Sequence, residues 1–159
     1  LDGIDAEDFQ RIYAVNVVGP YQMTRAATPA LQKQGGSVVM ISSMSGITGV
    51  GSSNAYVASK GALNTMTLAL ARALAPKVRV NAICPGLVDT RWHHARFANP
   101  DDYQKFLDKY AENVALGKPS SAEDVAEVAV WLIESGGMVT GEMIKVDGGQ
   151  HLGPAWRQR

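Results

Sequence analysis

The chain has 159 residues, enough for one domain, and its 46% hydrophobic and 19% charged residues are those of an ordinary globular chain. Its 15 basic residues balance its 15 acidic ones, and no basic patch offers a footprint for nucleic acid. No apolar run is long enough for a membrane span, Leu1-Asp2-Gly3-Ile4-Asp5 lacks the basic and apolar regions of a signal peptide, and the single cysteine, Cys84, excludes an intrachain disulfide and fits a reducing, cytoplasmic compartment.

Helix and strand signals alternate along the chain, the pattern of a parallel sheet with crossover helices. Asp5, with Asp8 three residues on, reads as an N-cap. The helix it opens is predicted from Ala6 to Leu31, with Phe9, Ile12, Tyr13, Val17 and Met23 apolar and Gly19-Pro20 kinking or interrupting it. Ser37-Val38-Val39-Met40-Ile41 is a short apolar run, as expected for a strand covered on both faces. A Ser/Gly-rich loop follows from Ser42 to Asn54. The next helix is predicted from Ala55 to Leu74, with a stripe of Leu63, Met66, Leu70 and Leu74.

Val78 to Ile83 reads as the second strand, broken by Pro85-Gly86. The stretch from Val88 to Pro119 is irregular, with one helix capped by Asn99 and Pro100. Ser121-Ala122-Glu123-Asp124 is a capping box, ahead of a stripe of Val125, Val128, Ala129, Leu132 and Ile133 that Gly136-Gly137 closes. Glu142 to Val146 is the last strand, and the tail after Gly149 reads as loose. Three strands in a row, each fed by a helix, make half of a doubly wound sheet with two open edges.

Tyr56-Val57-Ala58-Ser59-Lys60 opens a helix directly after the Ser-rich loop that leaves a strand end. In open α/β sheets that end is where ligands bind. Tyr56 and Lys60 share a helix face. A free tyrosine is a poor proton shuttle at neutral pH, but an ammonium about 5 Å away favours the phenolate by about 3 kcal/mol at an effective dielectric near 20. A serine hydroxyl such as that of Ser43 can donate to a substrate oxygen and stabilise charge developing there. Taken alone, the pentapeptide reads equally as a helix-start aromatic followed by a solvated lysine.

Asn16, Ser43, Tyr56 and Lys60 together match, at their spacings, the Asn-Ser-Tyr-Lys tetrad of short-chain dehydrogenases/reductases. The chain also resembles that family in Val15-Asn16-Val17-Val18-Gly19, in Pro85-Gly86-Leu87-Val88-Asp89-Thr90, in Glu123-Asp124-Val125-Ala126, and from Gly141-Glu142 to Val146-Asp147-Gly148-Gly149. Lys118 departs from the arginine often found at its place. The resemblance implies a Rossmann-type fold of which residues 1–159 are the C-terminal part, with a variable substrate loop at about 88–119.

It implies hydride transfer between a secondary alcohol or ketone and NAD or NADP, without metal. Tyr56 would be the acid/base and Ser43 the polarising donor. Lys60 would hold the nicotinamide ribose, and Asn16 would place a water that completes a proton relay. Ile41, Tyr56, Lys60, Pro85, Gly86, Val88 and Thr90 would contact the cofactor. The expected partners are a small carbonyl or alcohol substrate and further copies of the chain, as a dimer or homotetramer. The Ala55–Leu74 helix carries a small-residue face (Ala58, Ala62, Thr65, Ala69 and Ala73) that would meet either a second copy or the first helix of the same chain.

Adjacent His93 and His94 do not share a face and have no acidic or thiol cluster beside them, so they point to no metal. Cys84 reads as a small packed thiol. Trp92, Phe97, Tyr103 and Phe106 form either a packed lid or a substrate-facing surface. No glycine-rich turn follows a first strand to cradle a pyrophosphate, and the chain starts at Leu1. An N-terminal cofactor-phosphate half is therefore expected ahead of it, and the segment alone is expected to be inactive. The rival reading is a noncatalytic chain that serves only in oligomer packing or nucleotide sensing.

Overall fold

The computed structural model describes residues 3–156. Its sheet has three parallel strands in the order β1 (Ser37–Ile41), β2 (Arg79–Pro85) and β3 (Met143–Val146). Successive strand residues point to opposite faces, and both faces are used. Met40, Val80 and Ala82 are buried against Leu63 and Ala71 of the helix α4 (Asn54–Leu74) on one face, with Val38 and Met143 packed beside them. On the other face Ser37 and Arg79 bond the main chain at the end of α7 (Ala122–Glu134). Helices on both faces of a parallel sheet give the α/β, doubly wound architecture expected from the alternation of elements.

Arg79 ties strand to helix. Its guanidinium donates to the carbonyls of Leu132 at 2.7 Å, Gly136 at 2.9 Å and Ile133 at 3.0 Å. The last carbonyls of a helix lack partners within it, so one side chain from the start of β2 supplies the C-terminal cap of α7. The N-terminus of α7 has the expected capping box, with Ser121 and Asp124 bonded reciprocally.

Several boundaries differ from the sequence expectation. The first long helix is three pieces: α1 (Ala6–Tyr13), a π turn (Ala14–Val18) and α2 (Gly19–Gln34). The interruption lies just before Gly19-Pro20, and Pro20 falls in the first turn of α2, where its missing N–H costs nothing. Phe9 and Met23 are exposed rather than packed, Met23 because its face lies along the open edge of β1. Ile133 is exposed as well. β2 runs on through Pro85, whose carbonyl accepts from Met44 N–H, and Gly86 N–H still bonds Val146. The Ser/Gly loop holds a one-turn helix, α3 (Ser45–Thr48). The 88–119 stretch holds two helices, α5 (Arg91–His94) and α6 (Pro100–Ala111). The tail is not loose: Gln150–Leu152 forms a 3-10 turn, and His151 bonds Asp147.

Candidate active site

The C-terminal ends of β1 and β2 open onto a cavity of about 550 Å³. Ser43 follows β1, Tyr56 lies in the first turn of α4, and Pro85, Gly86 and Leu87 end β2; all five line it. Its outer wall is Trp92, His93, Arg96, Phe106 and Tyr110, with Gln150 from the tail. Lys60, Ile41 and Asn16 line an adjoining hollow against β1. Val88 and Thr90 line neither space. Val88 pairs with Ser120 in an isolated bridge, and Thr90 starts α5 without a side-chain cap.

Local hydrogen bonds orient each tetrad residue. Ser43 Oγ accepts from Ser45 N–H at 3.1 Å. With that lone pair engaged, its own proton stays available to a substrate oxygen. Ser53 caps α4 by accepting from Tyr56 N–H at 3.1 Å, which fixes where the phenol leaves the helix. One turn on, Lys60 Nζ lies 5.7 Å from the Tyr56 ring centroid and donates to Ile41 O at 2.9 Å. An ammonium has three protons, so two remain for hydroxyls such as those of a ribose. The residues present therefore fit the sugar end of a nicotinamide nucleotide. Burial pulls Lys60 below the ordinary lysine range.

Asn16 sits in the π turn and donates to Ser59 Oγ at 3.0 Å, and Ser59 in turn donates to Tyr56 O at 2.7 Å. Single π turns interrupt the regular ladder and recur at functional sites. Here Gly19 N–H reaches back five residues to Ala14 O. The π turn thus ties the first helix to the backbone of α4 beside Tyr56.

Gly46 packs directly against the main chain of α4. A Cβ there would meet Lys60 C at 2.5 Å and Gly61 N at 2.7 Å. Its lack of a side chain lets α3 lie against α4, which holds Ser43 and Tyr56 in register. Buried Cys84 is kept protonated, because burial raises its thiol more than the neighbouring Ser42 and Lys60 lower it.

The Trp92, Phe97, Tyr103 and Phe106 group splits. Tyr103 is buried, packs on Phe97 and Phe106, and donates to Asp89 at 2.7 Å. Burial first, and then Asp89, push its hydroxyl up to about 12. Trp92 and Phe106 face the cavity instead. His94 bonds Asp89 at 2.8 Å while His93 lines the cavity, so the two histidines diverge. Among the described residues, no group of three or more His, Cys, Asp or Glu is placed to hold a metal.

Arg96, Tyr110 and Gln150 carry no motif and were not singled out in the sequence. Arg96 lies four residues after Trp92, a helical spacing that puts a cation near an aromatic face. That spacing was the available signal. Tyr110 and Gln150 are 40 residues apart and share a 3.1 Å hydrogen bond that only the fold creates.

A family sequence pattern described as enoyl-(acyl carrier protein) reductase matches residues 1–151. A granaticin polyketide synthase putative ketoacyl reductase of Streptomyces violaceoruber is 38% identical over 147 residues, which are 92% of this chain and 57% of that protein. A crystal structure of a putative short-chain dehydrogenase/reductase from Burkholderia xenovorans is 42% identical with a TM-score of 0.84, over 96% of this chain and 58% of that one. A 4-hydroxyisoleucine dehydrogenase solved with NADH is 25% identical with a TM-score of 0.80, over 95% of this chain and 63% of that one. The chain thus spans about three-fifths of the length of these three proteins.

Proposed function

From the chain's membership in the short-chain dehydrogenase/reductase family, to which it belongs by a match over residues 1–151, we propose that it forms the catalytic part of an oxidoreductase that interconverts a secondary alcohol and a ketone. The observation that carries this reading is one arrangement. Ser43 and Tyr56 line a single cavity at the strand ends, and Lys60 is held one helical turn behind Tyr56 by Ile41 O. The likeness to a dehydrogenase solved with NADH supports a nicotinamide cofactor.

A bound nicotinamide supplies a hydride to the carbonyl carbon in reduction and accepts it in oxidation. The Ser43 hydroxyl donates to the substrate oxygen, where negative charge gathers as the hydride arrives. Tyr56 gives that oxygen its proton and takes one back in the reverse direction. The Lys60 ammonium supports the phenolate left behind and uses its remaining donors on the ribose. Asn16, tied through Ser59 to this turn of α4, places a water that links Lys60 to solvent and returns the proton. The backbone at Pro85 and Gly86 bounds the nicotinamide end, and Trp92, His93, Arg96, Phe106 and Tyr110 of the 88–119 stretch form the substrate-facing wall. In the cell we place the protein in the cytoplasm.

The test is Tyr56→Phe in the full-length protein, followed by NADH and NADPH oxidation with a panel of ketones. Loss of turnover by about 10²–10⁴-fold is expected. Undiminished turnover in Tyr56→Phe refutes the acid/base assignment.

A further inference from the structure

The cavity has two unlike ends. Ser43 and Tyr56 form the reacting end, and Trp92, His93, Arg96 and Phe106 form the far wall. Among the described residues, Arg96 is the one permanently charged side chain in that lining, and no aspartate or glutamate joins it.

Arg96 is also not neutralised from outside the cavity. It takes part in no ion pair among the described residues. Asp89, on the segment leading into α5, already accepts from Tyr103 at 2.7 Å and is bonded by His94 at 2.8 Å. Those two bonds, Tyr103 first, hold its carboxyl below the ordinary range. The Arg96 guanidinium instead lies over the Trp92 ring, 5.1 Å from its centroid. The aromatic contact holds the guanidinium beside Trp92, and its N–H donors enter no ion pair among the described residues. Those donors match the two oxygens of a carboxylate.

His93 adds a polar group without a second charge. Desolvation, and then the charge of Arg96, lower its imidazole, so it is neutral at pH 7. Its ring is held edge-on to Trp92 at 4.8 Å. A single fixed cation compensates one negative charge. A carboxylate supplies one, whereas a phosphate monoester would bring close to two.

We propose that the substrate is a ketone or secondary alcohol bearing one carboxylate, which pairs with Arg96 while an apolar, flat body lies along Trp92 and Phe106 and the reacting carbon sits at Tyr56 and Ser43. The inference rests on the oxidoreductase reading for the reacting end and on the charge of the lining for the far end.

Binding separates the two. Isothermal titration calorimetry on the full-length protein compares 2-naphthoate with its neutral analogue 2-naphthamide. The carboxylate binds about 10-fold or more tightly than the amide, as a charge-assisted hydrogen bond requires. Arg96→Gln removes that preference while the amide still binds, which also shows that the cavity is intact. Arg96→Lys retains part of it. Tyr56→Phe keeps the preference, whatever it does to turnover, so failure of the oxidoreductase reading is seen separately. Equal binding of the two probes, binding of neither, a preference that survives Arg96→Gln, or loss of amide binding in Arg96→Gln each overturns the assignment.

Discussion

Chemistry at single residues was legible where it depends on local spacing. Tyr56 and Lys60 are one helical turn apart in any α-helix, and Ser43 follows a strand that its apolar run announces. Tyr110 and Gln150 were not legible, because each acquires its place only when α6 and the tail close around the strand ends, and Arg96 offered only its spacing from Trp92. Asp147 belongs with them. It stood in the sequence as part of Val146-Asp147-Gly148-Gly149, yet its buried carboxylate anchors the tail. It accepts from Gly149 N–H at 3.0 Å and His151 N–H at 3.1 Å, and it pairs with His151 Nδ1 at 2.7 Å. Burial alone would raise its carboxyl, but the bonds from His151 and Gly149 outweigh that and hold it below the ordinary value. A folded-state value below the unfolded one means stability that is fully present above about pH 4 and is lost as pH falls through the folded value. Asp147→Asn should therefore lower stability at pH 7 by about 1–3 kcal/mol and flatten the acid limb of the stability curve. Urea midpoints measured from pH 7 down to pH 3 check both. Parallel curves for the two proteins would remove Asp147 from the acid limb.

At the scale of elements, type and order were readable and seams were not. Hydrophobic periodicity located all three strands and the helices that feed them, because burial on one or both faces imposes its own period. It merged α1, the π turn and α2 into one helix, since a single extra residue in a turn leaves the apolar pattern nearly continuous. It also left α3 inside a loop, because Ser45-Gly46-Ile47-Thr48 is too short and too polar to show a stripe. The α3–α4 seam nevertheless sets the site. Gly46 O lies 3.6 Å from where a Cβ on Gly61 would sit, and a Cβ on Gly46 itself would strike the main chain at Lys60 and Gly61. Backbone cannot rotate away as a side chain can, so Gly46→Ala must push α3 off α4 and move Ser43 relative to Tyr56. The expected cost is about 1–3 kcal/mol in stability together with reduced turnover. Denaturant unfolding and kinetics on the same preparation test this, and a variant of unchanged stability and turnover would show that the seam tolerates a methyl group.

For the whole molecule, the α/β class and the parallel order follow from the alternation of elements, but apolar surface remains that no described residue covers. Val15 and Met23 are 68% and 75% exposed, and with Ile41 they border the open edge of β1. An exposed parallel edge is a pairing liability, and this one is the place where a further strand of the same sheet would add. The small-residue face of α4 is a second open surface. Of the two occupants expected for it, the first helix leaves most of that face uncovered, although it packs against α4 and its π turn reaches Ser59 on the buried side. Ala58, Thr65, Ala69 and Ala73 are exposed, and Ala62 is half-buried. A face of small side chains allows two helices to approach closely, and a patch that meets its own copy suits a two-fold axis. We therefore expect α4 to pair with α4 of a second copy. Ala69→Glu would place two like charges at that contact without touching the packed stripe of Leu63, Met66 and Leu70. Light scattering on the full-length protein should then give a smaller particle than wild type. Turnover should fall with it, because Tyr56 and Lys60 stand on the same helix. A folded Ala69→Glu protein with the wild-type mass would mean that copies do not meet across this face.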